Sequence, residues 1–593
     1  MRLLLRLASL PLALCVPFSL FPGDAYSGQH AVERAAASAY RTAAQQLQTI
    51  ASLDEDAAVS LLTLAGDLRL DSPRDGSPTR ATFALPTQVL HDVRSSDQAP
   101  WPLPSPAPAV AWPEASHLLL ATSNTTIWGY FSRLTPAALY VASGDIVNVE
   151  LLSPEAGDFP AGCIEGDANI EDIYRTDAAG QARLRGASGV GDGVHILTGP
   201  IHVDGAEPGD WLAIDVLALR PRINPKGQAF GVNSGAWWGM HHGSSGGPLG
   251  RGSAGPYPGE TLTLQSGDPA REVSFIYQIQ FDEATGLPTH ALPAFRFQYG
   301  QPVGSLTHPC ITGGDGSLAT QFGDCVNGSQ VFTSYSYPGL ITKTNREVDR
   351  SVAGRWRLPV NMHLGLMGLA PEAPDYVSTN PPMGAQGGNL DNRRVAVGNT
   401  LYLRVAIPGG MLSMGDAHAA MGDSELSGTG IEIHADGTFR LRLIKAGAGD
   451  SSAGISAAAF AALDAPLIVT SDGDFVIHGL SVRDYLKEMG FADTACDGTK
   501  SRLRGGNSTF SPIGCPHAAG QAASEYGRLD AAAAHALHAA RTFLHAQLGS
   551  DALVESVMGK GEWAVTQAVD GNVGVHVTLA GADARPKDRK EEL

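Results

Sequence analysis

The stretch that decides the fold runs over residues 385–432. It opens with AQGGNLDNRR (385–394), passes through TLYLRVAI (400–407) and ends in GDAHAAMGDSELSGTGIE (415–432). In TLYLRVAI, Thr400, Tyr402, Arg404 and Ala406 alternate with Leu401, Leu403, Val405 and Ile407. That is the spacing of a strand with both faces largely covered. Gly409 and Gly410 permit a tight turn, and Met411, Leu412 and Met414 start a second apolar run that leads into the polar cluster. Asp416 and His418 are two apart, so a strand directs them to the same face. Asp423, Glu425 and Glu432 follow, separated by Gly422, Gly428 and Gly430, whose backbone freedom lets several side chains converge. Asp, His and Glu are ligands for hard or borderline cations such as Zn²⁺, so one reading is a metal or acid–base centre. The other is a set of carboxylates that cap glycine-rich turns in water.

Outward from this stretch the chain is strand-like. Its 593 residues, 43% of them hydrophobic, suffice for one large core or two. A net charge of −19 argues against nucleic-acid or anionic-membrane partners. With 70 Gly and 38 Pro the chain is turn-rich. Short apolar runs at 118–122 and 138–141, then Ile146, Val147 and Val149, then 211–219 after the turn Pro208-Gly209-Asp210, predict a β-sandwich or barrel-like core. The fold class expected is mainly β with a few peripheral helices, α+β overall.

Residues 1–27 have the layout of a secretory signal. Arg2 and Arg6 give a positive start, 7–21 is an apolar run too short for a typical membrane span, and small residues near 25–27 suit cleavage. The expected location is therefore secreted or periplasmic, or the ER lumen in a eukaryote, with no membrane association after cleavage. Five cysteines remain after Cys15. In an oxidising compartment Cys310–Cys325 and Cys496–Cys515 are the expected local bridges, with Cys163 left over. Residues 28–115 form an N-terminal extension. Its Ala-rich part (29–70) predicts two short helices, the second capped by Asp54, and its Pro-rich part (73–113) reads as a linker or wrapping arm. Residues 116–445 are the β core, and 446–593 are a C-terminal part of the same fold with insertions and a helix. That helix is expected at 529–548, stopped by Gly549, with His535 and His538 at helical spacing but in solvated or packed roles. Residues 565–579 read as a closing strand or hairpin.

Several motifs resemble one family. GGNLD (387–391), GDAHAA (415–420) and Gly422-Asp423 are similar to signature stretches of the acetamidase/formamidase family. So are VHILTGPI (194–201), GAEPGD (205–210) and HLGLMGLAP (363–371), in the family's order and spacing. The resemblance covers residues 117–443 and a segment near the C-terminus around Gln567 and Gly574. It implies an acetamidase/formamidase-type β core, hydrolysis of a small linear amide to carboxylate and ammonia, and assembly as a homo-oligomer.

Water attacking an unactivated amide requires hydroxide near pH 7, a stabilised oxyanion and a proton for the leaving nitrogen. A divalent metal, zinc by ligand type, supplies the first two, and a carboxylate or His moves the proton. The expected ligands are Asp391, Asp416, His418 and His195. Asp423, Glu425 and Asp416 are the candidate catalytic carboxylates. Gly388, Asn389 and His363 lie in the motifs expected to bind substrate. A Ser427 nucleophile requires an activating base beside it, and a turn hydroxyl bonded to backbone is the simpler role for that residue. The leader and the N-terminal extension depart from the family pattern. They keep open a second class of function, a secreted β-sandwich binding protein without catalysis.

Overall fold

The computed structural model describes residues 18–26, 31–71, 79–95, 97–107, 113–174, 195–235, 273–298, 324–326, 329–331, 348–373, 375–483, 528–568 and 572–585. Strands dominate, in two twelve-stranded sheets. The first includes Thr400–Arg404, Trp211–Pro221 and Ala435–Ile444 as consecutive neighbours, joined by antiparallel ladders. The second has at its centre Leu412–His418, flanked by His363–Leu369 on one side and by Glu432–Ile433 and Ile196–Val203 on the other. Leu401, Leu403 and Phe439 of the first sheet share one apolar core with Leu364, Met414 and Ala417 of the second. The alternation seen in 400–407 has this physical basis: Leu401, Tyr402 and Leu403 are all buried, so both faces of the strand are covered. Gly409 and Gly410, at φ +80 and +66, make the turn into the next strand.

The N-terminal segment is woven into the first sheet. Ala81–Pro86 pairs with both Phe18–Pro22 and Asp67–Leu70, and Asp67–Leu70 passes the sheet on to Glu562–Gln567. The strand Phe18–Pro22 includes the end of the apolar N-terminal run, and Phe21 is buried. The first helix, Ala31–Ala51, is 21 residues long rather than short. Its alanines carry high helix propensity, and the buried Ala35, Ala36, Ala39 and Ala43 allow close packing. The second helix, Glu55–Ala65, begins as its sequence predicts: Asp54 accepts a hydrogen bond from the Ala57 N–H at 2.9 Å. The Pro-rich part is an arm over residues 97–107. Trp101 donates its N–H to Gly354 O, Pro104 O accepts from the Gln278 amide, and Ala107 donates to Gly227 O. The Trp101 ring lies between the guanidinium groups of Arg94 and Arg357, at 3.8 and 3.9 Å from its centre.

At the other end, Leu529–Leu548 is helical and stops at Gly549, whose φ of +66 closes the helix with an N–H bond to His545 O. This helix lies on the strand Phe475–Leu480, where Gly479 lets the backbones touch: a Cβ there would strike Ala536 N. His535 is buried and its Nδ1 accepts the Leu480 N–H at 3.0 Å, a packing role. Glu562–Gln567 and Gly574–Leu579 form the closing antiparallel pair. Cys163 is a free thiol. Cys310, Cys496 and Cys515 lie outside the described residues, so the two expected bridges do too. Among the described residues no helix is long and apolar enough to cross a membrane.

Candidate active site

Strand register builds the centre of the site. His418 closes the strand Leu412–His418, opposite His363 on one neighbour and opposite Glu432 on the other. Three polar side chains on adjacent strands therefore stand in a row. His418 Nε2 is 3.1 Å from Glu432 Oε1 and 3.4 Å from Asp416 Oδ2. The strand Ile196–Val203, which pairs with Leu412 and Met414, brings His195 to the rim, with Nε2 3.8 Å from Asp416 Oδ2. The His195 Nδ1 is held by Thr379 Oγ1 at 3.0 Å.

Two triads share His418. Asp416, His418 and Glu432 form one, and Asp391, His418 and Glu425 form the other; within each, one potential ligand atom per residue lies within 4.8 Å of the others. All five residues are at most 3% exposed. Space between them is kept by Gly365, where a Cβ would collide with Asp391 Oδ1 and Asp416 Oδ2. Three of the carboxylates sit on left-handed backbone, Asp391 at φ 45, Asp416 at φ 57 and Glu425 at φ 51. Non-glycine residues rarely adopt this conformation, and it persists only where the surroundings over-determine it.

His363 stands behind His418. Its Nδ1 is 2.7 Å from Asn361 O, which can only accept, so that nitrogen carries the proton. Its Nε2 is then the acceptor for His418 Nδ1–H at 3.1 Å. The relay leaves His418 Nε2 pointing at the carboxylates. Burial pushes His363 down to about 3, which matches a neutral ring. Burial opposes a charge on His418 as well, but Glu432 and Asp416 outweigh it and raise this group well above the usual histidine range. Burial lifts Glu432 to about 8. Burial also opposes ionisation of Asp416, yet His195 and His418 overcome it and hold this carboxyl low.

Four buried carboxylates converge on one imidazole. A divalent cation matches that donor set. The oxygen-and-imidazole chemistry suits zinc or a similar ion, and the cradle over Gly365 leaves room for it. The residues thus fit the group.

Asp391, Asp416, His418 and Glu425 are brought together as the sequence spacing suggests, and His195 borders them. Asp423 is elsewhere. Arg394 grips its carboxylate with two bonds of 2.7 and 2.9 Å, and Arg393 Nε adds a third at 3.2 Å. Burial works against this charge, but the two arginines dominate and hold the Asp423 carboxyl well below its usual range. Asn389 and Gly388 lie on the strand Gly387–Asn389, paired to Leu366 and Met367. Ser427 is buried; its Oγ accepts from the Asn233 amide at 3.1 Å, and its N–H donates to Thr63 Oγ1 at 3.0 Å, a structural setting. Glu432, unassigned from sequence, is a full member of the centre. Its signal was positional, an acid opening a strand directly after the glycine-rich turn. A separate cleft of about 710 Å³, lined by Glu150, Asp167, Arg220, Arg222 and Asp436, contains none of these residues, and its charges pair with one another.

Residues 359–499, which carry His363, Asp391, Asp416, His418, Glu425 and Glu432, match the model of the Acetamidase/Formamidase family. Over that segment the chain is similar to the acetamidase/formamidase family. An acetamidase of Mycolicibacterium smegmatis is 28% identical over 266 residues, 43% of this chain and 54% of the relative. A protein of Schizosaccharomyces pombe named as a formamidase is 24% identical over 328 residues, 53% of this chain and 63% of the relative. The chain thus spans between half and two thirds of the length of these relatives. A solved acetamidase from Bacillus halodurans aligns with 78% of this chain and 97% of its own, at 19% identity and a TM-score of 0.41.

Proposed function

We propose that this protein hydrolyses a small linear amide to a carboxylate and ammonia, with a divalent metal, zinc, at the His418 centre. The observation that carries the reading is the convergence of Asp391, Asp416, His418, Glu425 and Glu432 around the space that Gly365 keeps open. Asp391, Asp416, His418 and Glu432 would hold the ion. When bound, it lowers the pKa of water and polarises the amide carbonyl. His418 offers Nε2 because His363 occupies its Nδ1. Glu425 takes the proton from the attacking water and returns it to the departing nitrogen. Asp423 is not the base, because its charge is spent on Arg393 and Arg394. His195, fixed by Thr379, holds Asp416 from the rim. Burial of the whole centre excludes bulk water and strengthens each of these interactions.

The same proposal includes export through the N-terminal leader and assembly as a homo-oligomer. The test of the chemistry is ammonia release from formamide, acetamide and larger amides by the purified protein, with and without chelator. Chelator-sensitive release restored by zinc is expected. A protein that binds amides without releasing ammonia would return the weight to a binding role.

A further inference from the structure

We infer that Asp67, on the N-terminal segment, is a positioning residue for the metal centre, acting through a clamp of two half-buried arginines and two buried aspartates. Two separate segments deliver the carboxylates of one triad. Residues 390–394 carry Asp391, and residues 422–428 carry Glu425; both residues lie on left-handed backbone. Arg393 is two positions after Asp391, and Asp423 is two positions before Glu425. Arg394 and Arg393 bind Asp423 across the gap, at 2.7–3.2 Å. Asp67 closes the ring. Its Oδ2 accepts from Arg393 Nη2 at 2.9 Å, and its Oδ1 accepts the Asp423 N–H at 3.2 Å.

The backbone around Asp67 grips the same loop. Leu68 N–H donates to Asp423 O at 3.0 Å, and Gly422 N–H donates to Thr63 O at 2.8 Å. A Cβ on Gly422 would strike Gly66 O, so the two segments touch at the main chain. From the opposite side, Ser424 N–H donates to Thr566 O at 3.1 Å. The loop that carries Glu425 is therefore fixed on two flanks, and its tie to the Asp391 loop runs from half-buried guanidinium groups to buried carboxylates. Fork-shaped Arg–carboxylate bonds set distance and angle together. Left-handed backbone at Asp391 and Glu425 needs such over-determination to persist. The N-terminal segment thus belongs to the machinery of the site.

This inference rests on the proposed metal-dependent hydrolysis. Its test uses the full chain and four readouts: zinc affinity by competition with a chromophoric chelator, kcat, KM and the melting temperature. Asp67→Asn keeps the size and removes the charge. Arg393→Lys keeps the charge, removes the fork and serves if the first variant does not fold. Asp450→Asn is the control, since it removes a charge from Arg442 at a remote pairing. The clamp predicts that Asp67→Asn and Arg393→Lys lower zinc affinity about 10-fold, the low end of what losing a ligand's own partner costs, and lower kcat. Asp450→Asn should leave zinc affinity unchanged even where it lowers the melting temperature. Wild-type zinc affinity in both clamp variants, with a lower melting temperature only, would overturn the inference. A wild-type protein that takes up no zinc would overturn the proposed function, and this inference with it.

Discussion

His363 and His418 lie directly opposite each other on neighbouring strands, with His363 Nε2 3.1 Å from His418 Nδ1. The contact fixes the tautomer of His418, because Asn361 O on the far side of His363 sets which nitrogen carries the proton. His363 thus orients His418, the ligand proposed for the ion. His363→Ala is expected to weaken zinc binding about 10- to 100-fold, measured by chelator competition, while His363→Gln, whose amide oxygen can accept the same bond, retains part of the affinity.

Backbone conformation supplies a second prediction. Glu425 at φ 51 carries strain of about 1–3 kcal/mol that glycine does not. Glu425→Gly should leave the chemical-denaturation midpoint equal to or above that of Glu425→Ala, while both variants lose ammonia release by two or more orders of magnitude. A glycine variant that keeps its activity would remove Glu425 from the mechanism.

Much of this was legible before any coordinates. The alternation of 400–407, the glycine turn after it, the D-x-H pair at 416 and 418 and the alanine helix 529–548 are local signals, and local signals survive into the fold. What could not be read was pairing over long distances. Glu432 joins the centre because its strand pairs with the end of Leu412–His418, and His363 stands behind His418 because of register on the other side. Neither follows from spacing along the chain. Asp423 looked equivalent to Glu425 in sequence. The difference lies in Arg393 and Arg394, which approach Asp423 from a loop nearly thirty residues earlier. The Pro-rich stretch hid the strand Ala81–Pro86, since its flanking prolines and polar residues outweigh a strand of six residues with no clear alternation.

Buried neutral histidines give the stability a definite pH dependence. Burial pushes His478 down to about 4 and His434 to about 3. The unfolded chain takes up protons at about pH 6.5 that these folded groups refuse. Their contribution is therefore complete above that pH and falls as the medium is acidified toward the folded values. At about 1.4 kcal/mol per unit, each costs about 2 kcal/mol by pH 5. Asp423 has the opposite cause and a lower window: its folded value is depressed, so its contribution is lost only as the pH falls below about 3.9. Urea melts at pH 7.5, 6 and 5 should show the decline, and His478→Gln should flatten it.

Processing at the N-terminus bears on the fold. A leader cut near residues 25–27 would remove the edge strand Phe18–Pro22 and expose Ala81–Pro86. Gly23 sits against Ala39 N with no room for a Cβ, so this stretch is fitted to the first helix. The fold predicts that any cleavage of the leader leaves a mature end before Phe18. N-terminal sequencing of protein recovered outside the cytoplasm checks this; an end after residue 27 would contradict it.

The central claim is metal-dependent amide hydrolysis at the His418 centre. The most direct measurement is ammonia release from formamide and acetamide by zinc-loaded, chelated and zinc-restored protein, with His418→Ala treated in parallel. The account predicts release that chelation abolishes and zinc restores in the wild type, and neither release nor stoichiometric zinc in His418→Ala. Release of equal rate from His418→Ala, or from protein shown by elemental analysis to hold no metal, would contradict it.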